Sequence, residues 1–443
     1  MSNITRRDLL KTGAAAVTIS LAAGTESVSA VAAPPKTMIG VPFERRETVR
    51  IGIIGCGFRA YTMMRDLVGA GNVEIKALCD NVAANAARAN DILEKLGKPK
   101  AELYTDGDFA YEKLCKRDDL DLIYIATPWE WHARQAIAAM ENGKHVGVEV
   151  PMATTIKDVW KIVEVSEKTR KHCVMLENCC FNANELLVLN MVRDGVFGKL
   201  THAEAAYIHD LRTIAFEDRS EGLWRRAWHT REDANFYPTH GLGPVANYLD
   251  INRGDRFDYM VSMSSREASF TAHREKTVPK DNAKWREKYV AGDMNTSLIR
   301  TVNGISIMLQ HDVATPRPYD RINHIQGTKG AFRDFPARLF IDGQEGGHRW
   351  TDLTKVRDKY EHSLWKRLGQ QARTGGHGGM DFIMCWALVN WFREGLVPDI
   401  DVYDGAAWTA PFPLSRESVA KGSAPVKFPD FTRGLWKQKR SIF

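Results

Sequence analysis

The first residues in the chain with an evident chemical purpose are glycines. Ile51-Gly52-Ile53-Ile54-Gly55-Cys56-Gly57-Phe58-Arg59-Ala60 is an apolar strand running into Gly-x-Gly-x-x-Ala and then a helix. Gly55 permits the tight turn, Gly57 lets a pyrophosphate approach the backbone, and Ala60 allows the helix to pack close on the strand. The helix N-terminus offers free N–H groups to the phosphates. Asp80 ends the next strand, twenty-five residues beyond Gly55. A carboxylate there accepts hydrogen bonds from ribose hydroxyls and repels a 2′-phosphate. NAD is therefore favoured over NADP, with Arg59 as the residue that argues the other way. Thr127-Pro128-Trp129-Glu130-Trp131-His132 and His145-Val146-Gly147-Val148-Glu149-Val150-Pro151 reach the same edge from later strands. Ligands of open α/β sheets bind along that carboxyl edge. Trp129 and Trp131 are either packing anchors or a wall against the cofactor. Glu149 is either a ribose acceptor or a solvated acid at a strand end.

Those residues need a parallel sheet to hold them. Apolar runs at 49–55, 73–79, 122–126, 145–150 and 173–177 alternate with helical patterns at 60–68, 82–96, 131–142 and 156–169. Buried continuous strands separated by amphipathic helices predict a Rossmann-type, doubly wound parallel sheet over 45–180. Beyond it the pattern changes. Strands at 200–207, 258–263, 296–302, 305–310, 322–327 and 338–341 come in pairs with Gly or Asn between them. An α+β domain over 181–443 with an open, mainly antiparallel sheet is expected. A late helix at 380–393 should return to pack on the first domain.

Composition removes several classes. The net charge of +6 over 443 residues is small and scattered, which argues against a nucleic-acid partner. No run of eighteen apolar residues predicts a membrane span. Residues 1–33 read as an address rather than as fold. Thr5-Arg6-Arg7-Asp8-Leu9-Leu10-Lys11, a short apolar run and Val28-Ser29-Ala30 resemble a twin-arginine signal, predicting periplasmic or secreted delivery of a folded protein. The seven cysteines are odd in number and contain no Cys-x-x-Cys pair, so no disulfide framework is expected.

Longer strings carry a family resemblance. Pro128-Trp129-Glu130-Trp131-His132, Glu177-Asn178-Cys179-Cys180, Tyr207-Ile208-His209-Asp210-Leu211-Arg212 and Trp224-Arg225 are among them. So are Tyr237-Pro238-Thr239-His240-Gly241, His311-Asp312, Arg317-Pro318-Tyr319 and Gly376-His377-Gly378-Gly379-Met380-Asp381. Together they resemble glycoside hydrolase family 109, the NAD-dependent N-acetylgalactosaminidases, within the glucose–fructose oxidoreductase/inositol dehydrogenase (Gfo/Idh/MocA) superfamily. Two departures are visible. Superfamily dehydrogenases carry Glu-Lys-Pro where this chain has Glu149-Val150-Pro151, and family members often have Tyr at the position of Phe181.

The resemblance implies cofactor contacts at Gly55, Gly57, Phe58, Arg59, Asp80, Trp129, Glu130, Trp131, His132, Glu149, Val150 and Asn178. It implies sugar contacts at Tyr207, Arg225, Tyr237 and Tyr319, with His240 near the reacting carbons and no metal. Taken alone, Tyr207 and Tyr319 could equally be core phenols, Arg225 half of a surface ion pair and His240 a helix cap. Ordinary glycosidases use two carboxylates, and no acidic pair announces that role. The resemblance implies instead a tightly bound NAD regenerated in each cycle: oxidation at C3, deprotonation at C2, elimination at C1, addition of water and reduction. His240 is the first choice for proton transfer, because histidine is the residue type whose unperturbed pKa lies closest to neutrality, and Tyr237 is the second. The expected partner is a glycan with a terminal N-acetylhexosamine, and a homo-oligomer stays open. The alternative is an NAD-dependent sugar or inositol dehydrogenase with net turnover of cofactor. A sugar-binding protein that keeps NAD as ballast is a third reading.

Overall fold

The computed structural model describes residues 37–443 except 345 and 346, so the twin-arginine segment lies outside the described residues. Six parallel strands form the first sheet: β1 (Val49–Ile54), β2 (Val73–Cys79), β3 (Glu102–Tyr104), β4 (Leu122–Ile125), β5 (His145–Val148) and β6 (Cys173–Met175). Their order is β3-β2-β1-β4-β5-β6. Strand order reverses between β1 and β4, and ligands of doubly wound sheets sit in the crevice that this reversal opens. Ile51, Ile53 and Ile54 of β1 are buried, as both-sided burial in such a sheet requires. Gly55 follows at φ +87, and a Cβ there would lie 2.7 Å from the carbonyl of Ala126. Only glycine can make that turn.

The expected helices form as Phe58–Ala70, Ala83–Lys95, Trp129–Glu141 and Ile156–Thr169. The third starts two residues before the expected 131 because extended Pro128 ends the preceding loop and helical geometry begins at once. That shift puts Trp129 in the first turn, where it is buried. Thr155 caps the fourth helix by accepting from the Asp158 amide. Strand β3 was not expected. It is three residues long, its first two exposed, and carries no apolar run.

The second sheet contains β7 (Leu200–Ile208), β8 (Phe257–Ser264), β9 (Asn295–Thr301), β10 (Ser306–Asp312), β11 (His324–Gly327), β12 (Gly330–Arg333), β13 (Arg338–Ile341), β14 (Thr351–Asp352) and β15 (Val426–Lys427). The order is β14-β13-β12-β11-β7-β10-β9-β8-β15. Every pair is antiparallel except β7 with β10. Along β9, Ser297, Ile299 and Thr301 are buried while Leu298 and Arg300 are exposed, so one face meets the core and the other is open. The late helix, Met380–Glu394, is apolar nearly all round. It returns to the first sheet's side, where Phe382 touches the helix Phe58–Ala70 at Gly69 and Phe392 meets Phe43 at 4.3 Å. Among the described residues no helix is long and apolar enough to cross a membrane, and all seven cysteines are buried, unpaired thiols.

Candidate active site

A cavity of about 460 Å³ opens at the carboxyl edge of the first sheet and is walled on its far side by the second. The first sheet supplies Gly55, Gly57, Phe58, Arg59 and Asp80, then Trp129, Trp131, His132, Glu149, Val150 and Asn178. From the other side come Tyr207 on β7, His209 just after it, Arg225 and His240 on the helices Arg225–Arg231 and Thr239–Tyr248, and Tyr237 just before the latter. Sequence positions spread over almost two hundred residues therefore share one space. Glu130 and Tyr319 do not line it. Glu130 lies 3.8 Å from Arg231 on the surface. The Tyr319 ring meets His209 edge-on at 5.0 Å, and its hydroxyl accepts from Arg321 at 3.3 Å.

The sheet-edge residues fit a dinucleotide. Gly57 begins the helix Phe58–Ala70 without any side-chain cap, so the first-turn amides are free, and a Cβ at Gly57 would meet nothing within 4 Å. The space beside those amides is thus open to a phosphate. Asp80 is fixed at the lip, accepting from the amides of Cys56 and Val82 at 2.8 Å each. Arg59 is not free to seek a 2′-phosphate. Its Nε donates to Glu149 at 2.8 Å and its Nη1 to Asp381 at 2.6 Å. Burial disfavours the charged guanidinium, but Glu149 and Asp381 together raise its pKa well above the usual arginine value.

Glu149 corrects one of its two sequence readings. It is buried, paired with Arg59, and accepts from the Tyr124 hydroxyl at 2.9 Å, so it is not a solvated strand-end acid. His132 is also spoken for: its ring nitrogens lie 2.8 and 2.7 Å from the carbonyl oxygens of Pro151 and Thr127, stapling two edge loops together. Asn178 donates to Asp381 at 2.7 Å. Val150, at the position of the superfamily's lysine, is buried and offers no proton.

The opposite wall is aromatic and basic. Arg225 is buried, not at the surface, and its guanidinium lies 5.0 Å from the Tyr237 ring and 5.1 Å from that of Trp129. Its charge is met by Glu221 at 2.9 Å, one helical turn earlier. Tyr207 and Tyr237 lie with ring centroids 4.7 Å apart, and the Tyr207 hydroxyl is 3.0 Å from His209 Nδ1. Burial pushes the Tyr207 phenol up to about 12 and drives Tyr237 well above the ordinary tyrosine value. Both phenols are therefore proton donors at neutral pH.

His240 does not cap its helix. Thr239–Tyr248 begins after Pro238 with no side-chain cap. The His240 Nδ1–H instead donates to Glu177, with Oε1 at 2.8 Å and Oε2 at 3.0 Å. Glu177 follows β6, is fully buried and also accepts from the Cys179 amide at 3.0 Å. Burial alone would raise its carboxyl, but His240, Thr239 and that amide hold it below the ordinary glutamate value. An ionised Glu177 fixes a proton on Nδ1 and leaves Nε2 clear of that pairing. Gly241 makes the placement possible: a Cβ there would sit 2.5 Å from the Ala206 amide nitrogen, so only glycine lets this helix lie on β7.

Glu177 is the functional residue that sequence reasoning did not single out. The available signal was its place at a strand's carboxyl end, shared with Asp80 and Glu149. Glu177, Cys179 and His240 also gather three ligand-type atoms within 4.8 Å. The carboxylate and Nδ1 are already in direct hydrogen-bond contact, which leaves no space for an ion between them.

Comparison with known proteins matches this two-part construction. Residues 49–177 match the NAD-binding Rossmann fold of the Gfo/Idh/MocA oxidoreductase family, and residues 181–438 match the C-terminal domain of glycosyl hydrolase 109. A glycosyl hydrolase family 109 protein of Solibacter usitatus is 51% identical over all of both chains. A Shewanella oneidensis protein named alpha-N-acetylgalactosaminidase is 47% identical over 100% of this chain and 99% of its own. Among solved structures, levoglucosan dehydrogenase in complex with NADH and levoglucosan superposes with a TM-score of 0.67 at 18% identity, covering 86% of this chain and 99% of that one. An NAD-binding Rossmann domain joined to this C-terminal domain, along the whole length of both matches, means that the chain belongs to glycoside hydrolase family 109.

Proposed function

We propose that this enzyme removes terminal N-acetylgalactosamine from glycans and that NAD is regenerated in each turnover. The observation that carries the reading is the Glu177–His240 pair: a histidine base opening into the cavity that also contains the Gly55–Gly57 turn. The carboxylates lining that cavity support it by being committed elsewhere. Asp80 is held by amides, Asp108 by Asn81, Glu149 by Arg59 and Tyr124, and Glu221 by Arg225. None is left as the free acid or nucleophile that a two-carboxylate glycosidase needs.

When bound, NAD supplies reversible hydride exchange at C3 of the sugar. A ketone at C3 acidifies the C2 hydrogen, so a base of modest strength suffices to remove it. His240 Nε2 is that base or the one at O3, and Glu177 steadies the imidazolium that forms. Tyr237 and Tyr207, both held protonated, donate toward sugar oxygens. Arg225 orients the ring from the aromatic wall. The alpha linkage follows only the name of the Shewanella oneidensis relative. We propose further that the protein is exported folded, with its cofactor loaded beforehand.

Hydrolysis in deuterated water tests the route. Deuterium should appear at C2 of the released sugar, while NADH absorbance stays flat during turnover. An oxocarbenium mechanism never breaks the C2–H bond and would leave C2 fully protonated, which would reject the elimination. Accumulating NADH would point to the net dehydrogenase instead.

A further inference from the structure

His209 lines the cavity yet has no part in the chemistry above. It stands two residues beyond Tyr207, just past the end of β7. Its amide donates to the Asp312 carbonyl at 2.9 Å, which carries the pairing of β7 with β10 one residue further. Side chains two apart on a strand share a face, so Tyr207 and His209 are presented to the cavity together. His209 also lies between the two tyrosines that the family resemblance gives to the sugar. Its Nδ1 is 3.0 Å from the Tyr207 hydroxyl, and its ring meets that of Tyr319 edge-on at 5.0 Å. The Tyr319 hydroxyl is itself held by Arg321 at 3.3 Å, so the ring that His209 leans on is fixed in turn.

Neither partner in the Tyr207–His209 bond is charged at neutral pH. Burial pushes the phenol up to about 12, with Arg225 opposing and Glu221 adding to the shift. Burial and Arg225 lower the His209 imidazole from its ordinary value, while Glu221 and Asp210 oppose and His240 adds to the shift. A bond between two neutral groups contributes direction more than charge. A hydroxyl hydrogen rotates to suit whichever partner is offered, and the imidazole beside Tyr207 decides what is offered.

We infer that His209 is a positioning residue for the sugar: its Nδ1–H donates to the Tyr207 oxygen and leaves the phenol's own hydrogen for a sugar oxygen. The inference rests on the sugar-site reading above. With the opposite polarity the phenol would commit its one hydrogen to the imidazole and present only lone pairs to the sugar. Tyr319, packed edge-on, holds the plane of the imidazole, so the aim of the hydroxyl is set before the sugar arrives. Less ordering is then left for binding to supply.

The test uses the full-length protein as purified. Its readouts are NAD content, calorimetric binding of N-acetylgalactosamine, and steady-state hydrolysis of a p-nitrophenyl N-acetylgalactosaminide. His209→Phe keeps a ring against Tyr319 but removes Nδ1. It should lower kcat/KM and sugar affinity about ten-fold, the scale of one hydrogen bond, with NAD content at the wild-type level. His209→Asn, whose side-chain amide stands where Nδ1 does, should recover most of the loss, which a role in ring packing alone would not allow. In a Tyr207→Phe background, His209→Phe should cost nothing more, because no hydroxyl is left to aim. Equal losses in the two backgrounds overturn the inference, since His209 would then act without Tyr207. A loss of NAD in step with activity also overturns it, as the mark of a general collapse of the wall. A phenylalanine variant indistinguishable from an active wild type overturns this inference alone, whereas wild-type protein that neither binds nor hydrolyses the sugar overturns the reading of the site as well.

Discussion

At the scale of single residues the site turns on a pair that lies 63 positions apart, Glu177 and His240. His240→Ala should lower turnover by roughly two or more orders of magnitude, the usual scale for losing a general acid–base group. Its NAD content should stay at the wild-type level, because His240 touches none of the turn that holds the phosphates. Glu177→Gln keeps the shape and the acceptor oxygen but removes the charge behind the imidazole. Turnover should fall by roughly one to two orders of magnitude with the fold intact. Steady-state kinetics on purified variants, beside a measured NAD content, would settle both; normal turnover in H240A would move the assignment to Tyr237. The sequence made His240 legible through its family string, and its chemical type made it the first choice. It did not make Glu177 legible, since nothing local to Glu177-Asn178-Cys179 indicates that a helix carrying His240 will pack against it. The solvated-acid reading of Glu149 fails for the same reason: its partners Arg59 and Tyr124 are neighbours only in three dimensions.

At the scale of elements, the pattern located five of the six parallel strands and four of their helices, because buried apolar runs and amphipathic helices leave strong signals. It missed β3, β12, β14 and β15, which are two to four residues long and carry no continuous buried apolar run. The return of the helix Met380–Glu394 was legible from its apolar sequence, although the polar latch at its start was not. In that latch Asp66, on the helix Phe58–Ala70, accepts from the Gly376 amide at 3.0 Å. Burial raises the Asp66 carboxyl to about 6 from an ordinary 3.8, with the Gly376 amide opposing and Asp381 adding to the shift. The folded protein thus keeps a proton that the unfolded chain has already lost between these values. The associated stability is full below the unfolded value and is lost as pH rises through about 6. Asp66→Asn retains an acceptor for Gly376 without the charge. Its melting temperature relative to wild type should therefore rise by roughly 1–3 °C between pH 4 and pH 7. Parallel melting curves for the two proteins over that range would contradict this.

At the scale of the molecule, one cavity lies between the carboxyl edge of the first sheet and the residues around β7, with His377 reaching it from the last quarter of the chain. A ligand so enclosed should survive purification. Denaturing the protein should release near-stoichiometric NAD, measurable by enzymatic cycling; finding none, or only NADP, would contradict the assignment. Replacing Arg6 and Arg7 together by Lys should leave active, NAD-loaded protein in the cytoplasm, and fractionation showing unchanged export would refute the proposed route. The pairing of Arg59 and Asn178 with Asp381 has a consequence for how the molecule is made. Synthesis proceeds from the N-terminus, so the Rossmann sheet emerges from the ribosome some two hundred residues before Asp381. Until then Arg59 has Glu149 alone as its acidic partner, and His377 has not yet reached the cavity. Secure capture of the cofactor is therefore among the last events of biogenesis, and a translating chain stalled before residue 380 would exchange dinucleotide freely.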